Sequence, residues 1–364
     1  MKTGRTVVEL ATELERQAGI RKDFLLDTRA AEAFPNIIED DDGMHPDGIA
    51  LGLNGAGTFP TRPIADGQIS QRLQIPKKYY DRMSDIAPEL LCTNINHWFK
   101  DKPEKRMVRT MDGQARAFLS ERYRPLDNYE LADAVLPAML DAGCEIKSCE
   151  VTESRMYIKA ITYEIQADIT KKEGDTVAAG VMVSNSEVGH GSLFVGPFIE
   201  RLICTNGMIV SDWGKRKYHV GGKQSDGGMD LGNAYELFTS ETKSLTDRAF
   251  WMQVRDTVKG TLSQGGFDQI VETLRSTVDR KITDDPFSVV EKTQKAFKLN
   301  DMEKTGVLTH LLKGGDLSQW GLANAVTRTA EDIKDYDRAT EVESLGWKVV
   351  QLPKQQWESI SQVA

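Results

Sequence analysis

The sequence predicts an α+β protein: a strand-rich antiparallel central body with flanking helices, followed by a helical C-terminal region. Three observations carry that expectation. Met107–Thr110 and Gln114–Leu119 flank Met111-Asp112-Gly113, and an Asp-Gly pair between apolar runs is a strong hairpin signal. Glu145–Val151, Arg155–Ile165 and Val177–Val183 read as further strands, separated by turn formers at Thr152-Glu153-Ser154 and Lys171–Asp175. Beyond Gly221-Gly222 and Gly227-Gly228 the apolar spacing becomes helical, through Leu231–Val258, Phe267–Val278, Pro286–Phe297, Thr305–Leu312 and Leu317–Tyr336.

From the start of the chain, Val7–Ala18 places Leu10 and Leu14 on one helical face and stops at Gly19. Glu39–Asp42, Pro46-Asp47-Gly48 and the glycines from Gly52 to Gly57 are rich in loop formers, so irregular, solvated chain is expected there. Between Gln68 and Met83, Ile69 and Leu73 share a helical face, Ile75-Pro76 turns the chain, and Tyr79, Tyr80 and Met83 open a second amphipathic segment. That pair has the outline of a helix-turn-helix, but Lys77, Lys78 and Arg82 offer few base-reading groups, and ordinary helix packing is expected. Asp127 caps a helix running to about Leu140 through Pro137, with Gly143 behind it. Phe194–Val210 continues the apolar pattern around Pro197 and Asn206-Gly207. The expected division is an N-terminal helix and loop-rich segment over 1–66, an α+β core domain over 67–222 and a mainly helical region over 229–364.

The chain carries a formal net charge of −9, so any nucleic-acid surface has to be local. Its four cysteines (Cys92, Cys144, Cys149 and Cys204) are too few for a disulfide framework in 364 residues and read as reduced thiols of a cytoplasmic protein. No apolar run approaches the roughly 18 residues of a membrane span, and no signal-peptide core follows Met1–Arg5, so no membrane partner is expected. Phosphate-loop, G-x-S-x-G and H-E-x-x-H patterns are all missing, and Cys144 and Cys149 have no second pair. Neither a metal nor a cofactor is expected.

The densest functional signal is Val183–Leu193, followed by Glu200-Arg201 and Cys204–Met208. Ser184, Asn185 and Ser186, with Gly189 and Gly191, predict a shaped, exposed backbone that a partner approaches closely. Glu187 and His190 are the catalytic candidates, as the acid–base pair of a nuclease or other hydrolase. Two basic stretches run against the acidic average. Lys100–Arg124 holds eight cations against four acids, and Trp213–His219 brackets Lys215, Arg216 and Lys217 with aromatic residues. Cations follow phosphates and exposed rings stack on unpaired bases, so Arg122, Arg124, Arg201, Lys215, Arg216 and Lys217 are expected to contact phosphate, with Tyr123, Trp213 and Tyr218 stacking.

Phe118–Asn128, Ser184–Gly189 and Cys204–Met208, with Ile75-Pro76, Tyr79-Tyr80, Asn94-x-Asn96-x-Trp98 and Asn324–Arg328, resemble the phage/plasmid-like proteins that share domain of unknown function 932. The resemblance spans Gln68 to Arg328 and implies a mobile-element setting in DNA replication, recombination or conflict with a host. It transfers no catalytic residues. The order of strand-rich body and helices is also similar in outline to ring-forming single-strand annealing proteins. Together these imply a homo-oligomer that binds or anneals single-stranded DNA without base specificity, working with phage or host replication and recombination proteins. A nucleic-acid hydrolase, or a protein that engages a host-defence component, are the other classes expected.

Overall fold

A computed structural model describes residues 1–40, 43–217, 219 and 240–362, and it is α+β. Helix α1 (Val7–Ile20) starts at a reciprocal cap: Glu9 N–H donates to Thr6 Oγ1 (3.2 Å) and Thr6 N–H to Glu9 Oε2 (2.8 Å). Leu10 and Leu14 are its buried stripe.

Where loops were expected, the chain forms strands. β1 (Lys22–Asp27) lies on β5, while β2 (Ala31–Asp40), β3 (Gly43–Leu53) and β4 (Gly57–Pro60) make a separate three-stranded sheet. The strand signal is real but built from small residues: Ala31 and Ala33 alternate inward opposite Leu53 and Leu51, which a hydrophobicity scan passes over. Of the turn formers, Gly55, at φ +78°, lies in the β3–β4 connection, whereas Pro46-Asp47-Gly48 lies inside β3, beside the register irregularity between Pro35 and Ile37. Helices α2 (Pro63–Arg72), α3 (Lys77–Ile86) and α4 (Pro88–Asp101) bury Ile69, Tyr80, Met83, Leu91, Ile95 and Phe99 against these strands. The expected hairpin is present as β5 (Lys105–Met111) and β6 (Gln114–Ser120); Asp112 and Gly113 both take positive φ, as its two-residue turn requires.

Helix α5 (Asn128–Asp141) follows, with Pro137 inside it. The main sheet then forms from β7 (Glu145–Val151), β8 (Met156–Asp168), β9 (Thr176–Asn185), β10 (Leu193–Arg201) and β11 (Asn206–Ile209), in order β11-β10-β9-β8-β7. The single run expected over 194–210 is thus broken by a turn that includes Thr205 at φ +53°. A short β12 (Lys215–Lys217) pairs with the Leu193–Val195 end of β10, while β11 pairs with its Phe198–Arg201 end.

Helices pack on this sheet at two places. α1, α5 and α6 (Ser240–Thr261) cover Ile158, Val181, Val183 and Val195. At the other end lie α7 (Gln264–Arg275), α8 (Pro286–Phe297), α9 (Asp301–Gly314), α10 (Gln319–Thr329), α11 (Tyr336–Val350) and α12 (Lys354–Ser361). Their core encloses Val177, Ala179, Ile199 and Met208 from the strands. The helix expected over 317–336 divides because Asp335 caps a new start, accepting from Arg338 N–H (2.6 Å). α11 is pinned to β8 by a fully buried ion pair, Lys159 Nζ to Glu343 Oε2 at 2.5 Å, with the ammonium 4.8 Å over the Tyr336 ring. The glycine-rich boundary at 221–228 lies outside the described residues. Among the described residues, no helix is long and apolar enough to cross a membrane.

Candidate nucleic-acid interface

Two adjoining features occupy the Leu193 end of the main sheet, one buried and one exposed. The buried feature is the motif itself. Ser184, Asn185, Ser186 and Glu187 are all buried, which corrects the expectation of an exposed backbone surface. The chain reverses here inside the protein, so its backbone groups must find partners, and small polar side chains supply them. Asn185 Nδ2 donates to Leu126 O (2.6 Å) and Asn128 Oδ1 (2.9 Å); Tyr123 OH donates to Ser186 O (2.9 Å); His190 N–H donates to Ser186 Oγ (2.9 Å).

Glu187 is the centre of an ion-pair network. Its carboxylate accepts from Arg116 Nη2 (2.5 Å) and from the first N–H of α5, that of Asn128 (2.6 Å), with Arg21 Nη1 at 3.8 Å. The fully buried Arg109 joins this carboxylate's backbone O (3.0 Å) to Asp23 (2.8 Å) and Asp127 (2.6 Å). Burial pushes the Glu187 carboxyl up, but Arg116, Arg109 and the Asn128 N–H outweigh it and hold it below its ordinary value. Glu187 is therefore a committed ion-pair partner at a helix N-terminus, and the geometry gives no support to its role as a base. His190 is exposed, and its backbone O accepts from Arg155 Nη2. Gly191, at φ +155°, permits this approach, since a Cβ there would lie 2.0 Å from the guanidinium. Burial and Arg155 together lower the His190 pKa. The Asp337 carboxylate opposes that shift, and among the described residues the ring makes no hydrogen bond.

The exposed feature is β12. Lys215, Arg216 and Lys217 are exposed and, among the described residues, have no carboxylate partner. Arg216, opposite Phe194, lies 5.0 Å over that ring, and Trp213 just before it is 42% exposed. His219, just past β12, returns the chain to the other basic stretch. Its O accepts from Arg124 N–H (2.6 Å), and its ring stacks on Tyr123 at 5.0 Å and 7°. Burial pushes the His219 pKa down to about 4, against the Arg124 carbonyl that faces Nδ1 at 3.3 Å. Arg122 is exposed beside this junction, and Arg124 lies 5.9 Å over the Phe250 ring of α6. The fold thus brings together Arg122, Arg124, Trp213 and Lys215–Lys217.

The remaining expected contacts are not brought in. Tyr123 is 5% exposed, its hydroxyl and ring both used internally, so it presents no face to a base. Arg201 is at the far end of β10, about 25 Å along the strand, where it pairs with Asp175 (2.6 Å) and covers Trp320. Tyr218 lies outside the described residues. The positive excess read over Lys100–Arg124 is also reduced, because Arg109 and Arg116 are buried and Arg106 pairs with Glu104 (2.6 Å). Sequence reasoning missed Arg21 and His219 as organisers, and read Asp127 as the cap of α5; its carboxylate makes no capping hydrogen bond and pairs instead with Arg109 (2.6 Å) and Arg21 (3.1 Å). No sequence signal marked the inward charges: Arg109 lies in the continuous buried run Val108–Met111, where alternation with its neighbours would have placed it outward. No family model, curated protein or solved structure matches the chain.

Proposed function

We propose that the protein binds single-stranded nucleic acid, without base specificity, along the edge formed by β12 and the Arg122–Arg124 turn. The observation that carries this reading is the junction at His219, which joins two basic segments distant in the chain into one exposed seam. Lys215, Arg216 and Lys217 have no carboxylate partner among the described residues while the chain as a whole is acidic, so the surface is a local exception. The exposed Trp213 ring favours unpaired bases over a duplex, whose bases are already stacked. The resemblance to mobile-element proteins, and in outline to annealing rings, supports a role in recombination or replication and assembly as a homo-oligomer.

The test is fluorescence anisotropy with a labelled oligothymidylate across a salt series. Each neutralised phosphate contributes about 0.7 to the slope of log affinity against log salt for a single strand. Replacing Lys215, Arg216 and Lys217 with alanine is expected to flatten that slope by about 2. Equal affinity and slope in the triple variant would exclude this surface.

A further inference from the structure

Apart from the main sheet, the β2–β3–β4 sheet has an open face whose makeup fits a flat, polar-edged ligand. The sheet's other face packs on α2–α4 through Ala31, Ala33, Leu51 and Leu53. On the open face, Glu32, Gly52 and Thr58 form one row across the three strands, in register. Its middle position has no side chain. There the Phe34 ring lies over Gly52, and a Cβ at Gly52 would fall 2.7 Å from Phe34 Cε2. Phe34 nevertheless stays 41% exposed, so covering the glycine consumes only part of the ring. A groove of about 590 Å³ opens above it, within the range of small-molecule sites.

The rim supplies complementary chemistry. Lys100 is exposed with no carboxylate partner among the described residues, and Arg29 is held in place by two 2.9 Å hydrogen bonds to Asp27. Glu32 presents an acceptor and Thr58 a hydroxyl on either side of the gap. An aromatic floor, an acceptor that suits an exocyclic amine, and a cation for a phosphate together describe a nucleotide.

We infer that this groove binds a nucleotide whose base carries an exocyclic amine, with the base stacked on Phe34 and its phosphate near Lys100. The inference does not depend on the β12 edge. Two probes separate a free nucleotide from a unit within a strand: adenosine 5′-monophosphate by calorimetry, and a labelled oligoadenylate by anisotropy. Phe34→Leu keeps Gly52 covered but removes the ring, and Lys100→Glu reverses the rim charge. Each is expected to weaken binding about tenfold in the arm that binds, with the melting temperature unchanged. Thymidine 5′-monophosphate is expected to bind more weakly than the adenosine nucleotide. No binding of either adenine probe, or binding that neither variant alters, would overturn the inference. The Lys215/Arg216/Lys217 triple-alanine protein is run in parallel. Loss confined to that variant would leave the edge standing and exclude the groove, and loss confined to the Phe34 and Lys100 variants would do the reverse.

Discussion

At Glu187 the protein spends a carboxylate on holding three parts of the chain together: the β5–β6 hairpin through Arg116, the start of α5 through Asn128, and the segment after α1 through Arg21. Removing one member of a buried ion pair leaves the other uncompensated, a loss of about 3–5 kcal/mol. Glu187→Gln is therefore expected to lower stability by that order in urea denaturation, while oligonucleotide affinity of the folded fraction stays the same. His219 makes a second residue-level prediction. Its folded pKa of about 4 lies below the ordinary histidine value near 6.5, so the folded state binds the proton less readily than the unfolded chain. Its contribution is fully present above about pH 6.5 and is lost as pH falls toward 4, to a limit of roughly 3 kcal/mol. Asp66 and Asp127, both raised chiefly by burial, act in the opposite sense. The difference between wild-type and His219→Gln stability profiles isolates the histidine: the variant should be flatter between pH 6.5 and 4.

At the scale of elements, α11 sits on the main sheet through Lys159 and Glu343. Burial lowers the Lys159 pKa, with Glu343 opposing that shift. Either single replacement, Lys159→Met or Glu343→Leu, is expected to cost about 3–5 kcal/mol, while the double replacement should be near neutral or stabilising. A double-mutant cycle by denaturant melts checks this. The pair was invisible beforehand because nothing in the sequence links positions 159 and 343. Elements with their own local signals were legible: α1 with its Leu10/Leu14 face, the Asp-Gly hairpin, β7 to β9 and most C-terminal helices. β2 and β3 were not, since their inward positions are largely alanine and their turns hold the residues that mark loops. The same holds for the site. The basic run at 215–217 was readable as charge, whereas the burial of Ser184–Glu187 was not, because serine, asparagine and glycine serve a buried reversal as readily as an exposed one.

At the scale of the whole molecule, a chain of net charge −9 repels nucleic acid except where cations are concentrated. A single seam of five exposed or half-exposed cations, Arg122, Arg124 and Lys215–Lys217, spans only a few phosphates. Binding by one copy should therefore be weak at physiological salt, and useful affinity calls for several seams acting on one strand. This is the physical argument for the homo-oligomer that the resemblance to annealing rings implies. Light scattering coupled to size-exclusion chromatography, with and without a long oligothymidylate, tests it. The expected outcome is a mass above that of one 40.6 kDa chain, with co-elution of the oligonucleotide that shortens to nothing as salt is raised. Avidity adds a sharper criterion: doubling the strand length past the reach of one seam should raise affinity far more than twofold. A single-chain mass in both runs, with affinity independent of strand length, would confine the seam to a one-copy contact and remove the case for annealing.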